Sequence, residues 1–157
     1  MSREHPSITS FRSALEKAGG TGHVVVLPDS VHTAALAAEA LGCEVGAIAN
    51  SLVFDADGSP VLILTSGAHR VDTGKVAAEI GVGRLRRADA DFVRTHTGHA
   101  IGGVSPIDHP MPVPTYLDRA LRRYDEIWAA AGHPSAVFNT TYDELLALTG
   151  AQEIDVE

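Results

Sequence analysis

The sequence predicts one α/β domain of the α+β type, in which a mixed β-sheet is flanked by helices. Short apolar runs that favour strands are interspersed with Ala- and Leu-rich runs that favour helices. The segment DADGS joins two of the strands, and its Asp57-Gly58 step is typical of an antiparallel hairpin. A chain of 157 residues with 45% hydrophobic and 20% charged residues has the size and balance of one globular unit. We therefore expect a single domain over residues 1–157, with an N-terminal helix and arm over about residues 1–21.

The first half of the chain predicts a helix, a strand, a second helix and the hairpin. Helical spacing of apolar residues covers residues 10–18, and two glycines follow. The run HVVVLP favours a buried strand, and SVHTAALAAEALG favours a helix capped by Asp29 or Ser30 and ended by Gly42. The runs VGAIANSLVF and PVLILTS then supply the two strands of the hairpin.

The second half mixes clear and ambiguous segments. Asp72 or Thr73 caps a predicted helix that ends near residue 80, and a short helix is predicted over residues 88–92. The segment TYLDRALRRYDEIWAAAG is ambiguous, because its propensity favours helix while its alternation allows strands. AVFNTT favours a strand, and Thr141 and Glu144 have the spacing of a capping box before a last helix.

The composition predicts a cytoplasmic protein with no membrane-spanning helix. No run of about 18 apolar residues occurs, and the N-terminus lacks the apolar segment of a signal peptide. The single cysteine, Cys43, has no partner for an internal disulfide and is interpreted as a small buried hydrophobe rather than a nucleophile.

A formal net charge of −8 argues against an extensive phosphate-binding surface. Two arginine clusters still allow a local one, although charge alone favours their interpretation as solvated faces. Their members are Arg84, Arg86 and Arg87, and Arg119, Arg122 and Arg123.

The standard catalytic signatures are absent, so neither a cofactor nor a metal is predicted. No GxxxxGK[ST], GxGxxG, GxSxG or HExxH motif occurs. His96, His99 and His109 lie in one loop-rich segment and leave a metal-dependent hydrolase as an alternative, although they lack zinc-ligand spacing.

The segment GGVSP is the first candidate for a binding site. Adjacent glycines, Gly102 and Gly103, let the backbone approach another molecule closely, and Pro106 stiffens the exit. Backbone N–H groups held in such a loop bind a carbonyl oxygen or an oxyanion, whereas the simpler interpretation is an ordinary tight turn.

Asn50 is the second candidate, because it interrupts the apolar strand AIANSLVF. Asparagine is unfavourable in strands, and a buried amide needs partners for two donors and a carbonyl. It is therefore either a satisfied core amide or part of a site.

In their order along the chain, these segments resemble the YbaK/EbsC superfamily of aminoacyl-tRNA deacylases, which includes the editing domain of bacterial prolyl-tRNA synthetases. The resemblance rests on EVGAIANSLVF, VLILTSGAHRVD, TGKVAAEIG, IGGVSPIDH and AAGHPSAVFNTT, and it covers roughly residues 22–156. It implies a strongly curved, partly barrel-like mixed sheet. It also implies that TYLD and DEIWAAAG are strands.

The resemblance implies roles for several residues. Gly102 and Pro106 match the family's GxxxP loop, whose backbone positions the aminoacyl carbonyl and the terminal ribose; Gly103, Val104 and Ser105 lie between them. A second group would line the amino-acid pocket or its periphery: His133, Asn139, His69 and Arg70.

The resemblance implies hydrolysis of the ester of a mischarged small amino acid on tRNA, with the terminal adenosine and aminoacyl ester as ligand and an aminoacyl-tRNA synthetase as a further partner. Many members carry a lysine where this chain has Asn50. An asparagine brings no charge, so it would act by hydrogen bonding alone. The alternative is a catalytically weak or inactive member of the fold that binds an amino acid, a nucleotide or a protein.

Overall fold

The computed structural model describes residues 4–31 and 33–157, and that part of the chain contains five α-helices and eight strands. The helices are α1 (Pro6–Lys17), α2 (Ala34–Leu41), α3 (Thr73–Ile80), α4 (Ala90–Thr97) and α5 (Tyr142–Thr149). The strands are β1 (Val24–Val26), β2 (Ile48–Ala56), β3 (Ser59–Ser66), β4 (Leu85–Arg87), β5 (Thr115–Asp118), β6 (Ile127–Ala130), β7 (Ala136–Thr140) and β8 (Gln152–Ile154). Two short 3-10 helices, Val45–Ala47 and Arg119–Arg123, precede β2 and follow β5. None of the helices in the described ranges has the length and apolar character needed to cross a membrane.

Hydrogen bonds at the N-termini explain where four of the helices begin. Thr33, Asp72, Asp89 and Thr141 each accept a bond from the backbone N–H three residues later, at 2.8–3.1 Å. The caps predicted at Asp72 and Thr141 are therefore confirmed. Each of the four helices ends at a glycine with positive φ, which includes the stop predicted at Gly42.

The start of α2 differs from the prediction. Its cap is Thr33 rather than Asp29 or Ser30, because the residues before it form a separate turn in which the N–H of Val31 donates to the C=O of Pro28 at 2.9 Å. Asp29 instead accepts a hydrogen bond from Ser135 Oγ at 3.1 Å. The predicted helix also included residue 32, which lies outside the described residues.

One mixed sheet contains all eight of these strands, in the order β1-β7-β6-β2-β3-β5-β8, with β4 paired to β2 off this path. β2 and β3 form the predicted hairpin, and Asp57 and Gly58 turn it with φ values of 53° and 95°. The pairs β2·β6, β3·β5 and β5·β8 are parallel, and the other pairs are antiparallel. The predicted mixed α/β class is confirmed, and the sheet is open, with β1 and β8 at its two ends.

Several short segments differ from the structure that their local propensity favours. TYLD and IWAA are the strands β5 and β6, as the resemblance implied, and RALRR between them is a 3-10 helix. Strands β4 and β8 were not predicted at all. Each contains only three residues, so pairing with β2 or β5 rather than a local pattern makes them strands.

The two faces of the sheet cover separate apolar cores, because side chains alternate along each strand. On one face, Ala49 and Val53 of β2 pack with Phe11 of α1 and Leu145 of α5. On the other face, Phe54 packs among a cluster that includes Val76 and Ala77 of α3. The helices therefore fix the sheet from both sides.

β2 leaves part of one edge unpaired. β3 pairs along one whole edge, whereas on the other edge β6 pairs only at Ile48 and Ala49, and β4 pairs only at residues 54–56. Residues 50–52, which we call the open edge of β2, have no strand partner there in the described part of the chain. The C=O of Val53 accepts from the N–H of Ala88 on this side at 3.3 Å. Since backbone direction alternates, the N–H and C=O of Ser51 also face the open edge.

Candidate functional site

The open edge of β2 borders two cavities that share three lining residues. The cavities have volumes of about 140 Å³ and about 290 Å³. Asn50, Ser51 and Gly102 line both of them. The lining of the smaller cavity also includes Leu27, Val31, Ala34, Ala37, Trp128 and Pro134, and that of the larger includes Val53, Arg87, Ala88, Val93, Ile101 and Val104. The strand edge and the GGVSP loop thus border one composite, mainly apolar site.

Asn50 and Ser51 present polar groups to this site from opposite faces of β2. Asn50 lies on the face of Ile48 and Leu52, is half-buried, and makes no side-chain hydrogen bond with any described residue. Ser51 lies on the face of Ala49 and Val53, and its Oγ is buried without a hydrogen-bond partner among the described residues. A buried hydroxyl without a partner is costly, and a bound ligand would satisfy it.

The GGVSP loop is held against the opposite wall by close packing. Gly102 has a φ of 86°, a conformation that strongly favours glycine. A Cβ on Gly103 would lie 2.5 Å from His133 C and Pro134 N, so the two backbones touch. Val104 is buried in the core beside β2. The loop therefore keeps its position relative to Asn50 through contacts with two other parts of the chain.

Two histidines flank Ser105 in this loop. The Ser105 N–H donates to His99 Nδ1 at 3.3 Å, and His109 Nε2 lies 2.7 Å from the Ser105 carbonyl oxygen. The Ser105 hydroxyl donates to the C=O of Ile107. Both imidazoles are held within the loop-rich segment, and burial lowers the pKa of His99 and of His109.

Comparison with known proteins shows the family to which this chain belongs. The family model described as the aminoacyl-tRNA editing domain matches residues 28–148, most of the chain. This chain is a member of the aminoacyl-tRNA editing domain family. The matched range contains the open edge of β2, the GGVSP loop and most of the residues that border the two cavities.

Three individual proteins are similar to this editing domain over most of its length. It is 31% identical to YwhH of Bacillus subtilis (strain 168) over 140 residues, which is 88% of each chain. It is 29% identical over 120 residues to "Putative Cys-tRNA(Pro)/Cys-tRNA(Cys) deacylase EbsC" of Enterococcus faecalis (strain ATCC 700802 / V583), covering 76% of this chain and 73% of EbsC. A crystal structure of "a putative trans-editing enzyme for prolyl tRNA synthetase" matches with a TM-score of 0.93 and 49% identity, covering 99% of both chains.

Two residues that the resemblance associated with the pocket lie beside the site rather than in its lining. His133 stacks on His5, with ring centroids 4.7 Å apart, while its neighbour Pro134 lines the smaller cavity. The Asn139 amide accepts from the His23 N–H at 2.6 Å and donates to Glu126 at 3.1 Å. In this editing domain, the Asn139 side chain thus connects β7 with neighbouring segments.

His69 and Arg70 lie in a different part of the editing domain, around the buried carboxylate of Asp118. Asp118 is 1% exposed and accepts hydrogen bonds from Ser66 N–H at 3.0 Å and Thr65 Oγ1 at 3.3 Å. His69 Nδ1 lies 2.9 Å from the same carboxylate, and the Arg70 N–H donates to Glu157 at 3.0 Å. These contacts join β3 to β5 and to the C-terminal residues, and none of the residues that make them lines the two cavities.

The other groups considered for chemistry have structural surroundings. Burial raises the pKa of the Cys43 thiol, which favours its protonated, unreactive form. Pro106 is buried and lines neither of the two cavities. His96 stacks on Phe92 at 4.4 Å. Within residues 4–31 and 33–157, no group of three or more His, Cys, Asp or Glu is arranged to hold a metal ion.

Sequence reasoning missed Ser51, Trp128 and Arg87 as lining residues. Ser51 had a usable signal, since it is the second polar residue in an apolar strand. Trp128 reaches the site because β6 pairs in parallel with β2 opposite Ile48, and Arg87 reaches it because β4 pairs further along the same edge. No local pattern contains that information.

Proposed function

We propose that this editing domain is a stand-alone deacylase that hydrolyses the ester between a mischarged small amino acid and the terminal adenosine of a tRNA. The observation that carries the proposal is that Asn50, Ser51 and Gly102 line both cavities at the open edge of β2. The family membership, the similarity to EbsC, which is described as a putative deacylase, and the similarity to a solved putative trans-editing enzyme support the same chemistry.

The proposed reaction needs a positioned ester and a water molecule, but no side-chain nucleophile. Water attacks the ester carbonyl carbon, the carbonyl oxygen gains negative charge, and the bond to the ribose oxygen then breaks to release the amino acid and the tRNA hydroxyl. The free ribose hydroxyl beside the ester assists by orienting the water or accepting its proton. Fixed orientation of the reacting groups supplies much of the acceleration in such a site.

Asn50 and the GGVSP loop have matching roles in this scheme. The Asn50 amide has two donors and no partner among the described residues, so it is available to orient the carbonyl. The N–H groups of Gly102 and Val104 would stabilise the developing oxyanion, since those of Gly103 and Ser105 already donate to the Ala100 C=O and to His99 Nδ1. The N–H of Ser51 would add a donor from the open edge. Removing one oxyanion donor costs on the order of 10²–10³-fold in rate in measured cases.

The dimensions of the cavities favour a small amino acid. We place the amino-acid side chain in the smaller cavity, of about 140 Å³, which limits the size of the side chain. Apolar walls discriminate weakly between side chains that differ by one methylene, by about 1–3 kcal/mol. We therefore expect a preference among small side chains rather than exclusive selection of one.

A deacylation panel tests the proposal. tRNA charged with Ala, Ser, Thr, Cys or 2-aminobutyrate is incubated with the full chain, and ester loss is compared with spontaneous hydrolysis. We expect turnover above background for at least one member. If none is turned over, the proposal fails for this panel. The alternative, a binding protein that lost catalysis with the family lysine, then predicts ligand binding by calorimetry and a gain of activity in Asn50→Lys.

A further inference from the structure

The peptide groups on both sides of Ser105 are held by two histidines that the proposed chemistry does not itself use. His99 is 5% exposed and receives the Ser105 N–H, while His109 contacts the Ser105 C=O. The two rings are 6.1 Å apart in an edge-on arrangement. Ser105 directly follows Val104, which lines the larger cavity, so the position of this peptide contributes to the position of the cavity wall.

Hydrogen-bond direction fixes the proton positions on both rings. A backbone N–H only donates, so His99 Nδ1 must be the unprotonated acceptor, and a neutral His99 carries its proton on Nε2. A carbonyl only accepts, so His109 must carry a proton on Nε2. Protonation of His99 places a hydrogen on Nδ1 opposite the Ser105 N–H and replaces that bond with no more than a long contact to Ser105 Oγ, which lies 3.4 Å from Nδ1. Protonation of His109 leaves its bond to Ser105 in place.

We propose that His99 is a positioning residue for deacylation: its neutral form, with the proton on Nε2, fixes the GGVSP loop against the cavities, and its protonation releases the loop and lowers turnover. This inference rests on the proposed function, since it concerns how the same site is held. We call the two histidines and the Ser105 peptide that they hold the clamp. His109 keeps its bond to Ser105 in both of its protonation states, whereas His99 loses its bond when it is protonated.

The surroundings of His99 favour the neutral form near pH 7. Burial is the largest cause that lowers the pKa of His99, and the positive charge that His109 acquires in acid lowers it further. Asp108 is the opposing group and raises it. The carboxylate of Asp108 also accepts a hydrogen bond from Ser10 Oγ at 2.6 Å. The clamp therefore remains intact at neutral pH and opens only below the ordinary histidine pKa of about 6.5.

Paired variants of His99 separate positioning from simple packing. His99→Asn keeps an acceptor oxygen near the place of Nδ1 but does not titrate, whereas His99→Leu keeps bulk and removes the acceptor. We expect His99→Leu to lower kcat by roughly 10- to 100-fold at every pH with little change in KM, because the loop that positions the reacting groups would be displaced. We expect His99→Asn to retain turnover at neutral pH and to lose less of it than the wild type in acid. His96→Asn, a half-buried histidine on the adjacent helix, serves as the control and should keep the wild-type profile.

Two results would overturn the inference: wild-type kcat in His99→Leu, or an acid limb in His99→Asn that follows the wild type. A measurement on the unmodified chain covers the case in which His99→Leu does not fold. Long-range ¹H–¹⁵N spectra of the imidazoles should show His99 protonated only on Nε2 at pH 7, and the Ser105 amide shift should follow the titration of His99. A proton on Nδ1 at pH 7 contradicts the proposal. This readout needs no substrate, so its failure is distinguishable from failure of the deacylase proposal.

Discussion

At the scale of single residues, two asparagines show how context separates a binding group from a structural one. Asn139 has both ends of its amide engaged, by His23 and by Glu126. Asn50 has neither end engaged by a described residue, and it faces two cavities. The structure thus favours the second of the two interpretations of Asn50, part of a site rather than a satisfied core amide.

Asn50→Ala should lower deacylation strongly while leaving stability nearly unchanged. We expect a loss of roughly 10- to 100-fold in kcat, because an uncharged donor to the reacting carbonyl is removed. The thermal midpoint should hardly move, since the Asn50 side chain makes no hydrogen bond with a described residue. Single-turnover deacylation and thermal unfolding measure the two effects separately.

Asn139→Ala is the matched control for stability. It removes two hydrogen bonds, and each such bond contributes about 0.5–1.5 kcal/mol. The free energy of unfolding should therefore fall in Asn139→Ala and not in Asn50→Ala. Equal destabilisation of the two variants, or an unchanged rate in Asn50→Ala, would show that Asn50 is not a free group of the site.

At the scale of elements, the position of the site depends on one loop fitting between a strand edge and a turn. Gly102 supplies the positive φ, and Gly103 allows contact with the His133-Pro134 backbone. Val104 and Ser105 then fasten the rest of the loop to the core and to the histidines. An added atom in this loop is therefore expected to displace the residues that line the cavities.

Gly103→Ala should displace the loop. The new Cβ would lie 2.5 Å from two backbone atoms that have no flexible side chain to move. Overpacking of this kind costs about 1–3 kcal/mol, and we expect both the free energy of unfolding and kcat to fall. Chemical denaturation and the deacylation assay measure these changes.

Gly74→Ala is the control for Gly103→Ala. Gly74 lies inside α3, and its Cβ would meet only Asp72 Oδ1 at an ordinary 3.6 Å. A helical Gly→Ala change gains about 0.5–1 kcal/mol, so this variant should be as stable as the wild type or more stable. If Gly103→Ala behaves like Gly74→Ala, the contact with the His133 turn does not position the loop.

At the scale of the whole molecule, the two arginine clusters differ in their ion pairing. Arg119 lies 3.1 Å from Asp155, and Arg122 lies 2.9 Å from Glu153 and 3.3 Å from Asp143. Arg84, Arg86 and Arg87 are exposed and form no ion pair within the described ranges, and Arg87 lines the larger cavity. The carboxylate of Asp55, opposite Arg86 in register, accepts instead from the Gly58 N–H at 2.7 Å. In the other cluster, Arg123 is exposed and is the one member without an ion pair within the described ranges. The cluster of Arg84, Arg86 and Arg87 therefore has more unpaired charge to offer to phosphates.

The double variant Arg84→Ala/Arg86→Ala should weaken the use of charged tRNA. We expect a higher KM for aminoacyl-tRNA and a smaller salt dependence, because the slope of log affinity against log salt falls by about 0.9 for each duplex phosphate that the protein no longer neutralises. Turnover of a minimal aminoacyl-nucleoside ester should not change, because neither arginine lines the two cavities. Arg119→Ala/Arg122→Ala carries the same change of charge and should leave the slope unaltered. If this control has the larger effect, the cluster of Arg119, Arg122 and Arg123 binds the phosphates instead.

What the sequence by itself determined follows from short-range physics and from the order of motifs. The caps at Asp72 and Thr141, the stop at Gly42 and the Asp57-Gly58 hairpin depend on neighbours within a few residues, and all are confirmed. The family and the mixed α/β class were also accessible, because the motif order extends over nearly the whole chain.

Only the tertiary structure decided where strand pairing along β2 stops and which residues line the cavities beside the unpaired edge. β2 is left open at residues 50–52 because β6 and β4, distant in sequence, pair with the same edge at its two ends. The same long-range pairing brings Trp128 and Arg87 to the cavities. Propensity is a weak local preference that pairing and burial override, so β4 and β8 were missed and the edge that holds the site was visible only in three dimensions.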